Sequence, residues 1–205
     1  MRWILTTLLS LFAASCEDEP TGPMGPTAAE GECTGVAVAG LAAPDPATAG
    51  CAACAGELPP AWTLEDVQPQ SCGYEATYGL NAFEGQVTLL AFFNAGCSFC
   101  QAQTVALERM RHELAEAGAP VHVVAVNAAR FATQIPELTA RGSFPIFQDT
   151  DALDVWGTYG SGVSDFYLYG ADGRLIRYLP VGAEALDLRT SAGYAKLKGL
   201  LTQAQ

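Results

Sequence analysis

The sequence predicts an α/β fold in which a mixed central sheet is covered by helices on both faces. Three observations point there. Val87-Thr88-Leu89-Leu90-Ala91-Phe92-Phe93 is a nearly unbroken apolar run, the pattern of a strand buried on both sides. Segments with helical apolar spacing alternate with such runs through the second half of the chain, as layered strand–helix units require. Near the end, two apolar segments flank Gly170-Ala171-Asp172-Gly173, a turn of hairpin type that adds antiparallel strands.

The elements follow in order. Asn94-Ala95-Gly96 ends the first run. Ser98 to Ala117 then takes helical spacing through Val105, Leu107, Met110 and Leu114, and stops at Gly118. Val121 to Val126 is a second buried strand. Phe131 to Ala140 reads as a helix in spite of Pro136, Phe144 to Phe147 as a short strand, and Asp151 to Tyr159 as another helix. Asp165 to Tyr169 and Leu175 to Leu179 are the hairpin strands, and Ser191 to Leu201 is the last helix. There is no internal repeat.

The 205 residues suit one domain with a leading extension. Ten Lys+Arg face 22 Asp+Glu, a formal net charge of -12. That argues against nucleic acid as a partner, because there is no basic surface to displace counterions from phosphates. The charge is uneven: no Lys or Arg lies between Arg2 and Arg109, while half of the acids fall from Glu17 to Glu84. Residues 16–56 are rich in Pro, Gly and Ala, with too few large apolar side chains to fold alone, and are expected as an acidic, self-repelling tether. Residues 57–205 are expected as the folded domain.

Residues 1–15 have the form of a signal peptide. Met1-Arg2 gives a charged start, Trp3 to Phe12 an apolar core too short to span a bilayer, and Ala13-Ala14-Ser15 a small-residue stretch. Cys16 follows, and then polar Glu17-Asp18-Glu19-Pro20. The arrangement resembles a bacterial lipoprotein signal, in which Cys16 is lipidated and anchors the protein to the membrane on the periplasmic or outer side of the cell envelope. Ala13 stands where such signals usually carry Leu, so cleavage near Ser15 with a soluble, secreted product is the alternative. Either route leaves the cytosol.

Seven cysteines in an exported chain indicate disulfide or redox chemistry. Cys97-Ser98-Phe99-Cys100 lies between a predicted buried strand and a predicted helix. A thiol there meets the positive end of the helix dipole and unpaired N–H groups, which favour the thiolate. Cys97 is therefore the expected attacking sulfur, and Cys100, one turn on, the sulfur that resolves a mixed disulfide. Two readings compete: a purely structural Cys97–Cys100 bond, and a zinc site completed by Cys51 and Cys54. The redox reading implies no metal and no cofactor. Cys33, Cys51, Cys54 and Cys72 are expected to be structural, with three pairings open if Cys97 pairs with Cys100. A sharper alternative makes Cys51 and Cys54 a second redox pair that relays electrons to Cys97.

Segment 87–115 resembles a thioredoxin-fold active site, and residues 54 to 180 resemble the selenoprotein P N-terminal family. Pro59-Pro60-Ala61-Trp62, Val87-Thr88, Cys97-x-x-Cys100, Gln103, Leu107-Glu108, Met110-Arg111, Val124, Asn127, Pro145, Gln148, Asp154-Val155-Trp156, Asp165-Phe166, Tyr169 and Gly173-Arg174-Leu175 carry the resemblance. It implies a thioredoxin-like fold and reduction of a protein disulfide or a hydroperoxide. In that family the first active-site position is often selenocysteine, and here it is Cys97. The family's animal members use selenocysteine-rich tails and His-rich stretches for selenium delivery and heparin binding. This chain has two histidines, His112 and His122, so that carrier role does not transfer. Two departures from thioredoxins stand out: Ser164 takes the place of the cis-proline beside the dithiol, and Ala91 that of the buried acid.

Among other residues, Asp165 is a candidate to approach Cys97 and shuttle its proton. His112 is expected on the surface, His122 at a strand start, and Trp62 and Trp156 in the core. The expected function is thiol-disulfide oxidoreduction by Cys97 and Cys100. A thiol-dependent peroxidase, or a tethered non-catalytic binding module, are the alternatives.

Overall fold

The computed structural model describes residues 33–44 and 50–205. The expected signal peptide and Cys16 lie outside them. In chain order the elements are β1 (Leu64–Asp66), β2 (Thr77–Tyr78), β3 (Thr88–Phe93), α1 (Ser98–Glu116), β4 (His122–Asn127), α2 (Pro136–Thr139), β5 (Ile146–Gln148), α3 (Val155–Tyr159), β6 (Phe166–Tyr169), β7 (Leu175–Leu179) and α4 (Ser191–Gln203). The strands form one sheet in the order β2–β1–β5–β4–β3–β6–β7. β3, β4 and β5 are parallel, while β6, β7, β1 and β2 each run antiparallel to the neighbour that joins them to the sheet.

β3 is central, and all six of its residues are buried. Its side chains alternate between two cores. Leu89, Ala91 and Phe93 face α1 and α4, meeting Leu107, Met110, Leu114, Leu197 and Leu201. Leu90 and Phe92 face the other way, onto Trp62, Phe147, Val155, Tyr159 and Tyr167. Trp62 belongs to this second core, its Nε1 donating to Tyr159 Oη at 3.2 Å. Trp156 is half-buried, its edge on Phe92 and its Nε1 donating to Val126 O at 3.3 Å. His122 starts β4 and packs against the Phe83 ring, and burial holds its imidazole below the usual value.

Several expectations change. The single helix expected over Phe131 to Ala140 is a 3-10 segment, Ala129–Gln134, followed by the short α2. Pro136 has no N–H to continue a helix, but it fits the first position of a new one, and α2 starts on it. Val105 is 53% exposed and does not belong to the buried face of α1. The buried residues of α1 are Cys100, Gln103, Thr104, Ala106, Leu107, Met110 and Leu114. Buried Gln103 is a polar tie: its Nε2 donates to Leu186 O at 3.0 Å and its Oε1 accepts from Leu188 N at 2.9 Å. β1 and β2 were not expected. Asp66, fully buried in β1, accepts hydrogen bonds from Ser71 Oγ, Tyr78 Oη, Gln68 N and Ile146 N.

The chain joins the fold earlier than the boundary after residue 56. Cys33 is bonded to Cys72, Thr34 pairs with Ser71 in a parallel bridge, and Val36 and Val38 pack on the second core. Among the described residues no helix is long and apolar enough to cross a membrane.

Candidate redox site

The apolar run of β3 ends at Phe93, and residues 94–97 turn the chain into α1. The turn is held from several sides. Ala95 N donates to Asn127 Oδ1 at 2.9 Å, and Gly96 N donates to Asn94 Oδ1 at 2.9 Å. Cys97 N donates to Asn94 O at 2.9 Å, and Gln101 Nε2 donates to Ala95 O at 2.8 Å. Asn127 stands at the end of β4, the strand beside β3, and is itself fixed by bonds from its Nδ2 to Gln148 Oε1 at 2.7 Å and Phe131 O at 3.1 Å. Gly96 is closely packed: a Cβ there would sit 3.0 Å from the Phe131 ring, which would have to give way.

Cys97 and Cys100 are the free cysteines among the described residues, Cys97 partly buried and Cys100 fully buried. Cys97 is the residue that precedes the first turn of α1, with its backbone extended. Burial alone would raise its thiol. The Cys100 backbone N–H, the Cys100 thiol and the Phe99 N–H outweigh burial and hold Cys97 below the ordinary thiol value. Cys100 differs. Burial pushes it up to about 11, against hydrogen bonds from the Ser164 hydroxyl and Asn94 N–H and with added repulsion from charge on Cys97. The pair is split into one ionisable sulfur at the surface and one protonated sulfur beneath it.

Ser164 lies beside this buried sulfur, its Oγ 3.2 Å from Cys100 Sγ. Its N–H donates to Phe92 O at 2.8 Å, which ties its loop to β3. Its φ of +68° is open to serine at modest strain, but proline is locked near −65°. This backbone therefore has no place for the proline that the thioredoxin pattern puts here. Ala91 is fully buried where that pattern puts an acid, and the Ser164 hydroxyl and the Asn94 N–H lie within hydrogen-bond reach of Cys100 Sγ.

Asp165, a candidate to approach Cys97, has its carboxylate engaged elsewhere. Its carboxylate accepts from Gly162 N at 2.8 Å, Tyr178 Oη at 2.6 Å and Val181 N at 2.9 Å, which locks the loop to β7. His112 is on the surface of α1, 3.0 Å from Glu108. Arg189, not singled out from sequence, sits with its guanidinium 4.7 Å from the Phe99 ring beside the dithiol, paired to Asp187 at 2.8 Å. Phe131 and Asn127 complete the surroundings. Only the match at Asn127 hinted at any of the three.

The other four cysteines among the described residues form one pairing, Cys33–Cys72 and Cys51–Cys54. Cys51–Cys54 is near the opposite end of the sheet from Cys97. Glu57 O accepts from Leu175 N, Leu175 pairs with Tyr169, and Tyr169 pairs with Thr88, the first residue of β3. The two pairs therefore do not come together as four metal ligands or as a direct relay. Among the described residues no cluster of three or more His, Cys, Asp or Glu is disposed to hold a metal ion.

A free, asymmetric Cys-x-x-Cys pair at the junction of a central strand and a helix, on a mixed sheet of this order, defines a thioredoxin-fold protein. The thioredoxin domain of a thiol-disulfide oxidoreductase from Bacteroides vulgatus superposes with a TM-score of 0.53 at 21% identity, over 72% of this chain and 98% of that one. A secreted disulfide oxidoreductase from Mycobacterium tuberculosis gives 0.51 at 18% identity, over 69% and 95%. These likenesses are of fold. Sequence goes further: residues 50–185 match the family described as Selenoprotein P, N terminal region, and the chain belongs to that family. It is similar to human selenoprotein P, 27% identical over 127 residues that cover 59% of this chain and 31% of that protein. The bovine protein matches at the same identity over 29% of its length. The chain thus spans under a third of these relatives.

Proposed function

We propose that this chain is an exported thiol-disulfide oxidoreductase in which Cys97 attacks and Cys100 resolves. The observation that carries the reading is the split within the pair: an accessible thiol held below its ordinary value, above a buried thiol held at about 11. The Cys97 thiolate attacks one sulfur of a substrate protein's disulfide, forming a mixed disulfide while the other substrate sulfur leaves as a thiolate and takes a proton. Cys100 then loses its proton and attacks Cys97 Sγ. The second substrate thiol is released, and Cys97–Cys100 is left as a disulfide. Hydrogen bonds from Ser164 and Asn94 favour the Cys100 thiolate at that moment. The fold likeness to thiol-disulfide oxidoreductases supports the same reading.

Export belongs to the reading too. Two disulfides outside the redox pair suit an oxidising compartment, and the apolar start with Cys16 behind it suits a lipid anchor in the cell envelope. The test is reduction of insulin disulfides by the mature chain with dithiothreitol as electron donor. Cys97→Ser is expected to remove the activity. Activity that survives this substitution contradicts the assignment, and consumption of hydroperoxide without insulin reduction favours the peroxidase instead.

A further inference from the structure

Cys51 and Cys54 are bonded to each other, and both residues are exposed. They close a turn across a sequence separation of 3, which already has a backbone bond of its own from Cys54 N to Cys51 O at 3.2 Å. The segment just after them is fastened separately to β7. Gly56 N donates to Leu175 O at 2.7 Å, Leu175 N donates to Glu57 O at 2.9 Å, and Arg174 Nη1 donates to Gly56 O at 2.8 Å. Opening the disulfide therefore leaves these attachments in place.

This has a redox consequence through linkage. A disulfide stabilises a fold only as much as the fold stabilises the disulfide, and that mutual support becomes smaller as fewer residues are enclosed. Cys33–Cys72, across a separation of 39, is the contrast within the same molecule. Folding brings its distant halves together, and Cys72 N donating to Thr34 O at 2.8 Å keeps them so. An exposed bond with little support from the fold is the kind that exchanges readily. Its natural donor is not Cys97 of the same chain, since the length of β3, about 17 Å, separates the two ends of the sheet.

We propose that Cys51–Cys54 is a second thiol-disulfide exchange site, one that accepts electrons from a dithiol carried by another molecule. A thiolate of the incoming dithiol attacks one of the two sulfurs, the Cys51–Cys54 bond breaks, and the freed cysteine takes a proton. The second incoming thiol loses its proton and displaces the mixed disulfide. The donor gives up two electrons and two protons and becomes a disulfide, and Cys51 and Cys54 become thiols.

The test uses the full chain carrying Cys97→Ser and Cys100→Ser, which silences the first site and separates this proposal from that reading. The protein is equilibrated over a series of reduced-to-oxidised dithiothreitol ratios, quenched with acid and alkylated, and each cysteine is followed by peptide mass spectrometry. Cys51 and Cys54 are expected to open at a ratio at least tenfold lower than Cys33 and Cys72, with the circular dichroism spectrum unchanged. Opening of both disulfides together, or opening of Cys51–Cys54 only with loss of the spectrum, overturns the proposal. The readout is resolved by site, so the same titration of the unsubstituted chain decides the matter if the variant does not fold.

Discussion

Two Cys-x-x-Cys pairs of equal spacing sit near opposite ends of one sheet, and the fold treats them differently. Cys97 and Cys100 lie where a fully buried strand hands over to a 19-residue helix. The helix N-terminus and neighbouring N–H groups draw one sulfur toward ionisation, and burial keeps the other protonated. Cys51 and Cys54 lie in a turn with no helix behind them, both exposed and joined to each other. Spacing lets two sulfurs meet. Surroundings decide whether one of them attacks.

The difference can be probed first through stability, where the effects are largest. Loss of the Cys33–Cys72 bond by Cys33→Ala with Cys72→Ala removes a loop closed across a separation of 39, and is expected to cost about 4 kcal/mol in urea unfolding. The same change at Cys51 and Cys54, across a separation of 3, is expected to cost less than about 2 kcal/mol. Equal losses would mean that the exposed turn is a structural staple like the other. A smaller effect is expected at the redox pair itself. Ser164→Ala removes a hydrogen bond to Cys100 Sγ, so the Cys100 thiol should rise further and the mixed disulfide should live longer, by up to about tenfold. Trapping that intermediate with a substrate peptide measures it, and an unchanged lifetime would show that Asn94 N–H suffices.

Much of this was legible in the sequence because it is local. The β3 run, the helix behind it and the hairpin each carry their own period or turn chemistry, and the dithiol stands at their junction. What was hidden depends on contacts across the fold. Leu64–Asp66 shows no strand pattern, since buried Asp66 makes sense only with Ser71, Tyr78 and the Ile146 backbone around it. Val105 fitted the helical period but falls outside the face that packs. Ser164 was singled out for lacking a proline, yet its positive φ and its approach to Cys100 come from pairing with β3. Asp165 was a chemical candidate by position, and the three donors that occupy its carboxylate come from its own loop and from β7 and the residues after it.

The most direct test is alkylation of the reduced protein with iodoacetamide across pH, resolved by residue. Cys97 should react first, its rate rising with pH through a midpoint below that of an ordinary thiol, and Cys100 only toward a midpoint of about 11. A Cys97 that stays unreactive, or a Cys100 labelled as fast at neutral pH, would contradict the division of labour between the two sulfurs.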